Sequence, residues 1–314
     1  MFDIAIAVII DWAIGDPYWF PHPIIYIGKV IRALEGFFRK SFRKGKQLKF
    51  AGFLIVIIVG LITFTVPFAI LQLCKINWIL YHGVNIFIIW TTLAARSLHM
   101  EGKKVFYSLE KEDIEDARVK LSYIVGRDTT SLSEKEIIRA DVETIAENTS
   151  DGIIAPLLFA IIGGAPFAML YKGINTMDSM LGYKNEKYGD IGFFPAKLDD
   201  IANLIPARIT GLAMCLSAPF VKGSIIESLK IMIRDRKNHK SPNCAYPEGA
   251  TAGALKVQLG GTNVYFGEIV EKPTIGDNIK PLNKEHIMDA IKLMYSSEIV
   301  VLIFTSIIFL FIAK

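Results

Sequence analysis

Long uncharged blocks alternate with polar, motif-dense stretches along this chain, and the alternation is the first thing it discloses. Residues 50–74, FAGFLIVIIVGLITFTVPFAILQLC, hold no charged side chain over a length that exceeds the ~20 residues needed to cross a bilayer core. Pro67 inside the block is compatible with a membrane helix, because neighbouring helices can satisfy the carbonyl it frees. Residues 77–95 form a second span. Three further apolar segments are expected at about 153–171, broken by Gly163-Gly164-Ala165-Pro166, at 201–221, with Arg208 in mid-segment, and at 293–313. The first residues, 1–14, lack a basic region and a small-residue cleavage site, so they read as a short retained helix rather than a signal peptide. The expected fold is all-α: one polytopic helical domain over 1–314, embedded in the cell membrane, with polar helices and loops at its cytoplasmic face.

The polar stretches have their own patterns. Asp113 is placed to cap a helix running to about Val125, with Gly126 as its stop. Ser133-Glu134-Lys135-Glu136 fits a capping box that opens a second helix through the ENTSD stretch. On that helix Ile138, Val142, Ile145 and Ala146 share one face, and Glu143, Glu147 and Asp151 form an i, i+4, i+8 row opposite. Asp141, Thr144 and Asn148 widen the row into a polar arc. Carboxylates stacked this way repel unless a cation lies between them, and hard oxygen ligands suit Mg²⁺. An ordinary solvated helix face would carry the same pattern.

Composition and charge refine this picture. Of the 314 residues 52% are hydrophobic and 21% charged, and the net charge of +4 gives no reason to invoke nucleic acid. Lys29, Arg32, Arg39, Lys40, Arg43, Lys44, Lys46 and Lys49 face only Asp16 and Glu35 in 15–49, which places that loop in the cytoplasm. Residues 96–152 and 222–298 then fall on the same side; 172–200 is expected near it if the two flanking segments are broken or tilted. Cys74, Cys215 and Cys244 are far apart and support neither a zinc ribbon nor a disulfide framework.

Candidate chemistry gathers in three more places. Lys172–Asp190 sets Lys172, Asn175, Asp178, Lys184, Asn185, Glu186 and Asp190 between two apolar blocks, far more polarity than a connecting loop needs. Asp199-Asp200 leads into the segment holding Arg208, and ionisable groups at membrane depth are functional hypotheses by default. His239-Lys-Ser241-Pro-Asn243 is a turn, and Leu259-Gly-Gly-Thr-Asn-Val-Tyr265 could bring backbone amides to a phosphate. Neither GxxxxGK[ST] nor GxGxxG nor HExxH occurs. Pro21-His22-Pro23 makes a rigid turn in which a lone histidine is more often structural than catalytic.

Three of these stretches together resemble one family. IDWAIGDPYWFPHPIIYIGKVI looks like its amino-terminal signature, RADVETIAENTSDGIIAPLLFAIIGGAPFAMLYKGINTMDSMLGYKNEKYGDIGFFPAKLDDIANLIPARIT like its central one, and RDRKNHKSPNCAYPEGATAGALKVQLGGTNVYFG like its carboxy-proximal one. The family is adenosylcobinamide-phosphate synthase of cobalamin biosynthesis, CobD/CbiB. The resemblance implies an integral membrane ligase that joins adenosylcobyric acid, through its free propionate, to the amine of (R)-1-amino-2-propanol or its O-phosphate, with ATP and Mg²⁺. A carboxylate is a poor electrophile, so ATP would convert it to an acyl phosphate for the amine to attack. On this reading Glu143, Glu147, Asp151 and Asp178 are the metal candidates, with Asn148 and Asn175 as neutral ligands. Glu147, Asp199 and Asp200 are the catalytic candidates, with Asp199 or Asp200 binding or deprotonating the amine. Lys172, Lys184 and Arg208 face phosphate oxygens, and Asn175, Asn185, Ser241, Asn243 and Tyr265 contact substrate or nucleotide. Other corrinoid-pathway membrane enzymes are expected as neighbours. A corrinoid transporter is the competing reading, since broken helices and buried charge also mark transport sites.

Overall fold

The computed structural model describes residues 1–183, 185–265 and 268–312, with the backbone alone for 262–265, 268–272 and 312. In chain order come α1 (Phe2–Ile14), α2 (Pro23–Ser41), α3 (Lys46–Cys74), α4 (Trp78–Trp90), α5 (Ala95–Glu110), α6 (Ile114–Ser122) and α7 (Glu134–Asn148). A π-helical turn, Thr149–Ile154, leads to α8 (Ala155–Leu181), α9 (Phe193–Ala202), α10 (Leu204–Ser217), α11 (Ile225–Asp235) and α12 (Ala245–Leu255). A hairpin of β1 (Leu259–Tyr265) and β2 (Glu268–Ile275) then precedes α13 (Glu285–Ile312). The chain divides into two compact units: Met1–Ala94 with Ala155–Asn203, and Ala95–Ile154 with Leu204–Lys314.

Among the described residues five helical stretches are long and apolar enough to cross a membrane: Lys46–Cys74, Trp78–Glu110, Glu134–Leu181, Leu204–Val221 and Glu285–Phe311. They take in all of the expected 50–74 and 153–171, 78–95 of the expected 77–95, 204–221 of the expected 201–221, and 293–311 of the expected 293–313. The short first segment is a helix of 13 residues, about 20 Å long at 1.5 Å per residue and so shorter than the ~30 Å hydrocarbon core. Helix α3 displays the membrane pattern. Ala51, Ile55, Val59, Thr63, Pro67 and Leu71 recur every fourth residue on its buried stripe, while Phe53, Ile57, Leu61 and Phe68 stand exposed on the rest. A helix apolar all round has a lipid-facing side as well as a packed one. The protein is a polytopic helical membrane protein.

In the first unit α2, α3, α8 and α9 pack together, around a core of Ile31, Phe38, Ile55, Val59, Ile174, Met177, Leu181 and Ile191. Lipid is as apolar as these side chains, so close packing supplies much of the cohesion within the bilayer. Gly173 of α8 illustrates it: a Cβ there would lie 2.7 Å from Thr63 Oγ1 on α3. Helix α8 is interrupted at Gly163 (φ −146°, ψ 21°) and Gly164 (φ 66°, ψ −158°), the latter a conformation that side chains on L-residues resist. The restart at Ala165-Pro166 is capped from outside. Ala165 N–H donates to Asn85 Oδ1 at 3.2 Å, Asn85 Nδ2 donates to Asp3 at 2.6 Å, and His82 Nδ1 lies 2.8 Å from the same carboxylate. The break thus has a polar support running through α4 to α1. His22 serves the start of α2 similarly: its Nδ1 accepts from Ile24 N–H at 3.2 Å, and its Nε2 lies 3.3 Å from Asp16.

In the second unit α12, a run of small residues, is buried between α10 and α11. Helix α13 lies along α5, α7 and α10. The helices expected from the caps form: Asp113 Oδ1 accepts from Asp116 N–H at 3.0 Å at the start of α6, and Glu136 accepts from Ser133 N–H at 2.8 Å at the start of α7. The ENTSD stretch widens into the π-helical turn rather than continuing as α-helix. The antiparallel hairpin, registered Leu259↔Ile275 with an irregularity between Gly260 and Thr262, is an addition to the all-helical expectation.

Candidate functional site

Each unit holds a polar cluster built from residues expected at the site. In the first, the C-terminal half of α8 presents Lys172, Asn175 and Asp178, and α9 presents Asp199 and Asp200. The spacing along α8 puts these three on adjoining turns of one face. Asp199 is buried; it accepts from Asn203 Nδ2 at 3.0 Å and from Asn175 Nδ2 at 3.4 Å. Asn203 is held in turn by Tyr171, whose hydroxyl donates to its Oδ1 at 2.8 Å. Burial first, and then the neighbouring charge of Asp178, push the Asp199 carboxyl up to about 7, while the two amides pull it the other way. A half-ionised carboxyl at neutral pH is what proton transfer requires. Lys172 is buried on the same helix, and Asp200 pairs with Lys197 at 3.7 Å.

Five of the residues expected at the site, Lys172, Asn175, Asp178, Asp199 and Asp200, therefore belong to one neighbourhood. Asn185 does not join it: its side chain accepts from Tyr188 N–H at 3.0 Å and shapes the following turn. Asp190 accepts from Gly45 N–H at 2.9 Å, a structural tie. Lys184 lies outside the described residues.

The second cluster lines the polar arc of α7, and it is not a solvated helix face. Asp141, Glu143 and Thr144 are buried. Glu143 is enclosed by positive partners: Arg127 Nη2 donates to Oε2 at 2.7 Å, Gly260 N–H donates to Oε1 at 2.7 Å, and Arg139 Nε stands at 3.8 Å. With both oxygens engaged, Glu143 acts as a tie between α7, the 127 loop and β1, and a metal ion would have to displace these bonds. Glu147 Oε1 accepts from the Cys244 thiol at 3.0 Å. Burial pushes that thiol well above its usual range, and the charges of Glu147, Asp151 and Glu248 push it the same way. Cys244 and Glu248 on the α12 side thus face Glu147 and Asp151. Asp141 is fully buried with neither oxygen hydrogen-bonded to a described residue. Among the described residues no set of three or more His, Cys, Asp and Glu is arranged to hold a metal ion. One carboxylate with a neutral amide a turn away, as at Asp178 and Asn175, still fits Mg²⁺, which takes one or two carboxylates and completes its shell with water and phosphate oxygens.

Arg208 is displaced from its expected position. Helix α9 ends at Ala202 and α10 starts at Leu204, so Arg208 sits at the start of a span rather than in mid-segment. Its Nη1 donates to Leu204 O at 2.7 Å and to Asn243 Oδ1 at 2.9 Å, and its guanidinium lies 4.2 Å from the centre of the Tyr246 ring. Ser241 Oγ accepts from Asn243 N–H at 3.2 Å, closing the SPN turn that Arg208 grips. The Tyr265 side chain lies outside what is described. Sequence alone assigns no site role to Cys244, Arg127 and Arg139: the partners of Cys244 and Arg127 lie 97 and 16 positions away, whereas Arg139 stands one helical turn from Glu143 and is open to an i, i+4 reading.

The comparisons with known proteins agree over most of the chain. The family model described as CobD/Cbib protein matches residues 4–294. The chain is 66% identical over 314 residues, all of both chains, to Cobalamin biosynthesis protein CobD of Clostridium acetobutylicum. It is 51% identical over 295 residues to Cobalamin biosynthesis protein CobD of Geobacter metallireducens, covering 93% of this chain and 91% of the relative. Cobalamin biosynthesis protein CbiB of Salmonella typhi is 45% identical over 295 residues, covering 92% and 91%. No solved structure matches it. With a family model spanning nearly its whole length and relatives matched end to end, the chain belongs to the CobD/CbiB family and has a role in cobalamin biosynthesis.

Proposed function

We propose that the chain is an ATP-dependent ligase that joins the free propionate of adenosylcobyric acid to the amine of (R)-1-amino-2-propanol or its O-phosphate, in the cell membrane with the reacting groups on the cytoplasmic side. The observation that carries this reading is the Asp178–Asp199 pair. An amino alcohol is an ammonium at neutral pH and cannot attack until it loses a proton. A buried carboxyl held near 7 beside a second carboxylate suits both tasks, attracting the cation and accepting its proton. In this assignment Asp199 is the base, Asp200 holds the amine nearby, and Lys172 offsets anionic charge on the acid or phosphate. Asp178 and Asn175 would hold Mg²⁺, and ATP supplies the activation of the propionate. Glu147 and Asp151 remain metal candidates in the second cluster; Glu143, engaged by Arg127 and Gly260, is assigned to the scaffold.

The test is direct. Protein purified in detergent is given adenosylcobyric acid, ATP, Mg²⁺ and either amine, and the amide is sought by mass spectrometry. Product with one amine identifies the substrate. A folded preparation that binds the corrinoid and forms no amide with either would overturn the ligase and favour corrinoid transport.

A further inference from the structure

The second half of α8 and the whole of α9 pack as an antiparallel hairpin in the first unit, and polar side chains pair across it at a regular interval. Tyr171 meets Asn203 and Asn175 meets Asp199, so each step of one turn along α8 matches one turn back along α9. At the closed end a Cβ on Gly192 would overlap the Leu181 carbonyl, which puts the two backbones in contact there. Tyr171 is fully buried and Asn203 is 1% exposed. We infer that Tyr171 and Asn203 are positioning residues for Asp199: through one hydrogen-bonded chain they hold its carboxylate in the orientation from which it takes the proton of the amine. The inference deepens the proposed ligase and rests on its assignment of Asp199 as the base.

The chain has a single direction. The Tyr171 hydroxyl donates to Asn203 Oδ1 at 2.8 Å, and Asn203 Nδ2 donates to Asp199 Oδ2 at 3.0 Å. An ionised carboxylate only accepts, so the Asn203 amide must turn its nitrogen to Asp199. Turned end for end, it would set oxygen against oxygen in a buried place, which is penalised. With Nδ2 committed, Oδ1 needs a donor, and the Tyr171 hydroxyl supplies it. The backbone of Asn203 ends on the same residue, its N–H donating to Asp199 O at 2.9 Å. That bond closes α9 and survives any side-chain replacement at 203.

Asn175 holds the other carboxylate oxygen, its Nδ2 donating to Asp199 Oδ1 at 3.4 Å. Two amides on different helices thus fix the plane of the carboxylate. A carboxylate has about four acceptor sites, so each oxygen keeps one for an ammonium. Cohesion of α8 and α9 does not require this arrangement. Ile174, Met177, Leu181 and Ile191 supply apolar packing nearby and bury no hydroxyl or amide, which costs free energy unless matched. The buried polar groups of Tyr171, Asn175 and Asn203 instead all lead to one carboxylate. A base works only within hydrogen-bond reach of its proton, and a displacement of about 1 Å can lower a rate by roughly 10²-fold.

The experiment compares two nucleophiles in the full chain purified in detergent. The amino alcohol is an ammonium and needs the base. Hydroxylamine is unprotonated at neutral pH and does not. Supplied in excess with adenosylcobyric acid, ATP and Mg²⁺, its nitrogen attacks the acyl phosphate, the carbon–oxygen bond to phosphate breaks, and the nitrogen gives its proton to water. The products are a hydroxamate and inorganic phosphate. Wild type, Tyr171→Phe, Asn203→Leu and Asp199→Asn are assayed with both nucleophiles. For Tyr171→Phe and Asn203→Leu we expect kcat for the amide to fall roughly 10- to 10²-fold, with KM for ATP and for the corrinoid unchanged and hydroxamate formed at the wild-type rate. Asp199→Asn should show the same split more strongly. If both products fall together, the lesion is in the fold and the positioning role is overturned. It is overturned as well if Tyr171→Phe makes amide as fast as the wild type. An Asp199→Asn protein that keeps its amide rate removes the base itself, and a wild type that makes neither product overturns the ligase; in both cases the role falls with the reading beneath it. Should Asn203→Leu not fold, Tyr171→Phe, which removes one oxygen atom, decides alone.

Discussion

The two carboxylate clusters are built from the same residue types and reach opposite ends. Glu143 is buried and its oxygens meet Arg127, Gly260 N–H and, farther off, Arg139. Asp199 is equally buried, yet its near neighbours are two amides and another carboxylate. Burying an ion costs several kcal/mol unless it is matched by opposite charge and hydrogen bonds. Where the match is supplied, the carboxylate becomes a tie. Where it is withheld, the carboxyl's proton affinity rises into the physiological range and the group is ready for chemistry. Burial alone does not separate scaffold from site; the sign of the nearest charge does.

The widest separation is expected from Asp199→Asn. If Asp199 is the base of the proposed ligase, its removal should lower the rate of amide formation by about 10²–10⁴-fold and leave the melting temperature nearly unchanged. A variant that keeps its activity would remove Asp199 from the mechanism. Glu143→Ala should do the reverse, destabilising the fold by roughly 3–5 kcal/mol because it strands buried arginine charge, readable as a lower melting temperature in detergent. A stable Glu143→Ala protein that has lost only Mg²⁺ dependence would return Glu143 to the metal site. Glu147→Gln sharpens the boundary between the clusters. If Glu147 is a ligand, the Mg²⁺ concentration for half-maximal activity should rise about 10–100-fold; unchanged activity and unchanged Mg²⁺ dependence would exclude it. The finest effect is in pH. In the proposed mechanism the Asp199 carboxyl, raised to about 7, acts as the anion, so kcat/KM should climb as pH passes upward through that value. Asp178→Asn removes one cause of the upward shift as well as a proposed metal ligand, so activity should fall and the rising limb of what remains, read at saturating Mg²⁺, should move to lower pH. A limb that stays in place would mean that the Asp178 charge does not reach Asp199. Stability has the opposite slope: the folded chain binds this proton more tightly than the unfolded one, so this group's contribution falls as pH rises from the ordinary carboxylate range towards 7.

How much of this was legible depends on the range over which each feature is determined. The spans are set locally by transfer into lipid, and 50–74 and 77–95 were readable as blocks. So were the caps at Asp113 and Ser133, whose partners lie three residues away. The clustering of Lys172, Asn175 and Asp178 follows from helical spacing once α8 is granted. The fate of Glu143 does not, because its partners Arg127 and Gly260 are 16 and 117 positions away. The Cys244 thiol is likewise bound to a residue 97 positions distant. Arg208 looked central because hydropathy carried its block back to 201, and hydropathy does not detect the break between α9 and α10. The hairpin at 259–275 escaped because its glycines obscure the alternation by which a strand is recognised.

The capped interruption of α8 bears on the order in which the chain is assembled. Asn85 and Asp3, which hold the restart at Ala165, lie 80 or more positions earlier and are synthesised first. An amino-to-carboxyl insertion process therefore delivers the broken helix to a receptor already in place. The Ala165 amide need not wait without a partner in hydrocarbon, where an unsatisfied backbone group costs several kcal/mol. A chain made with Asn85→Leu should meet its difficulty during biogenesis: α8 has no waiting cap, and the defect should appear as slow insertion and loss to proteolysis before it appears in the melting of the mature protein.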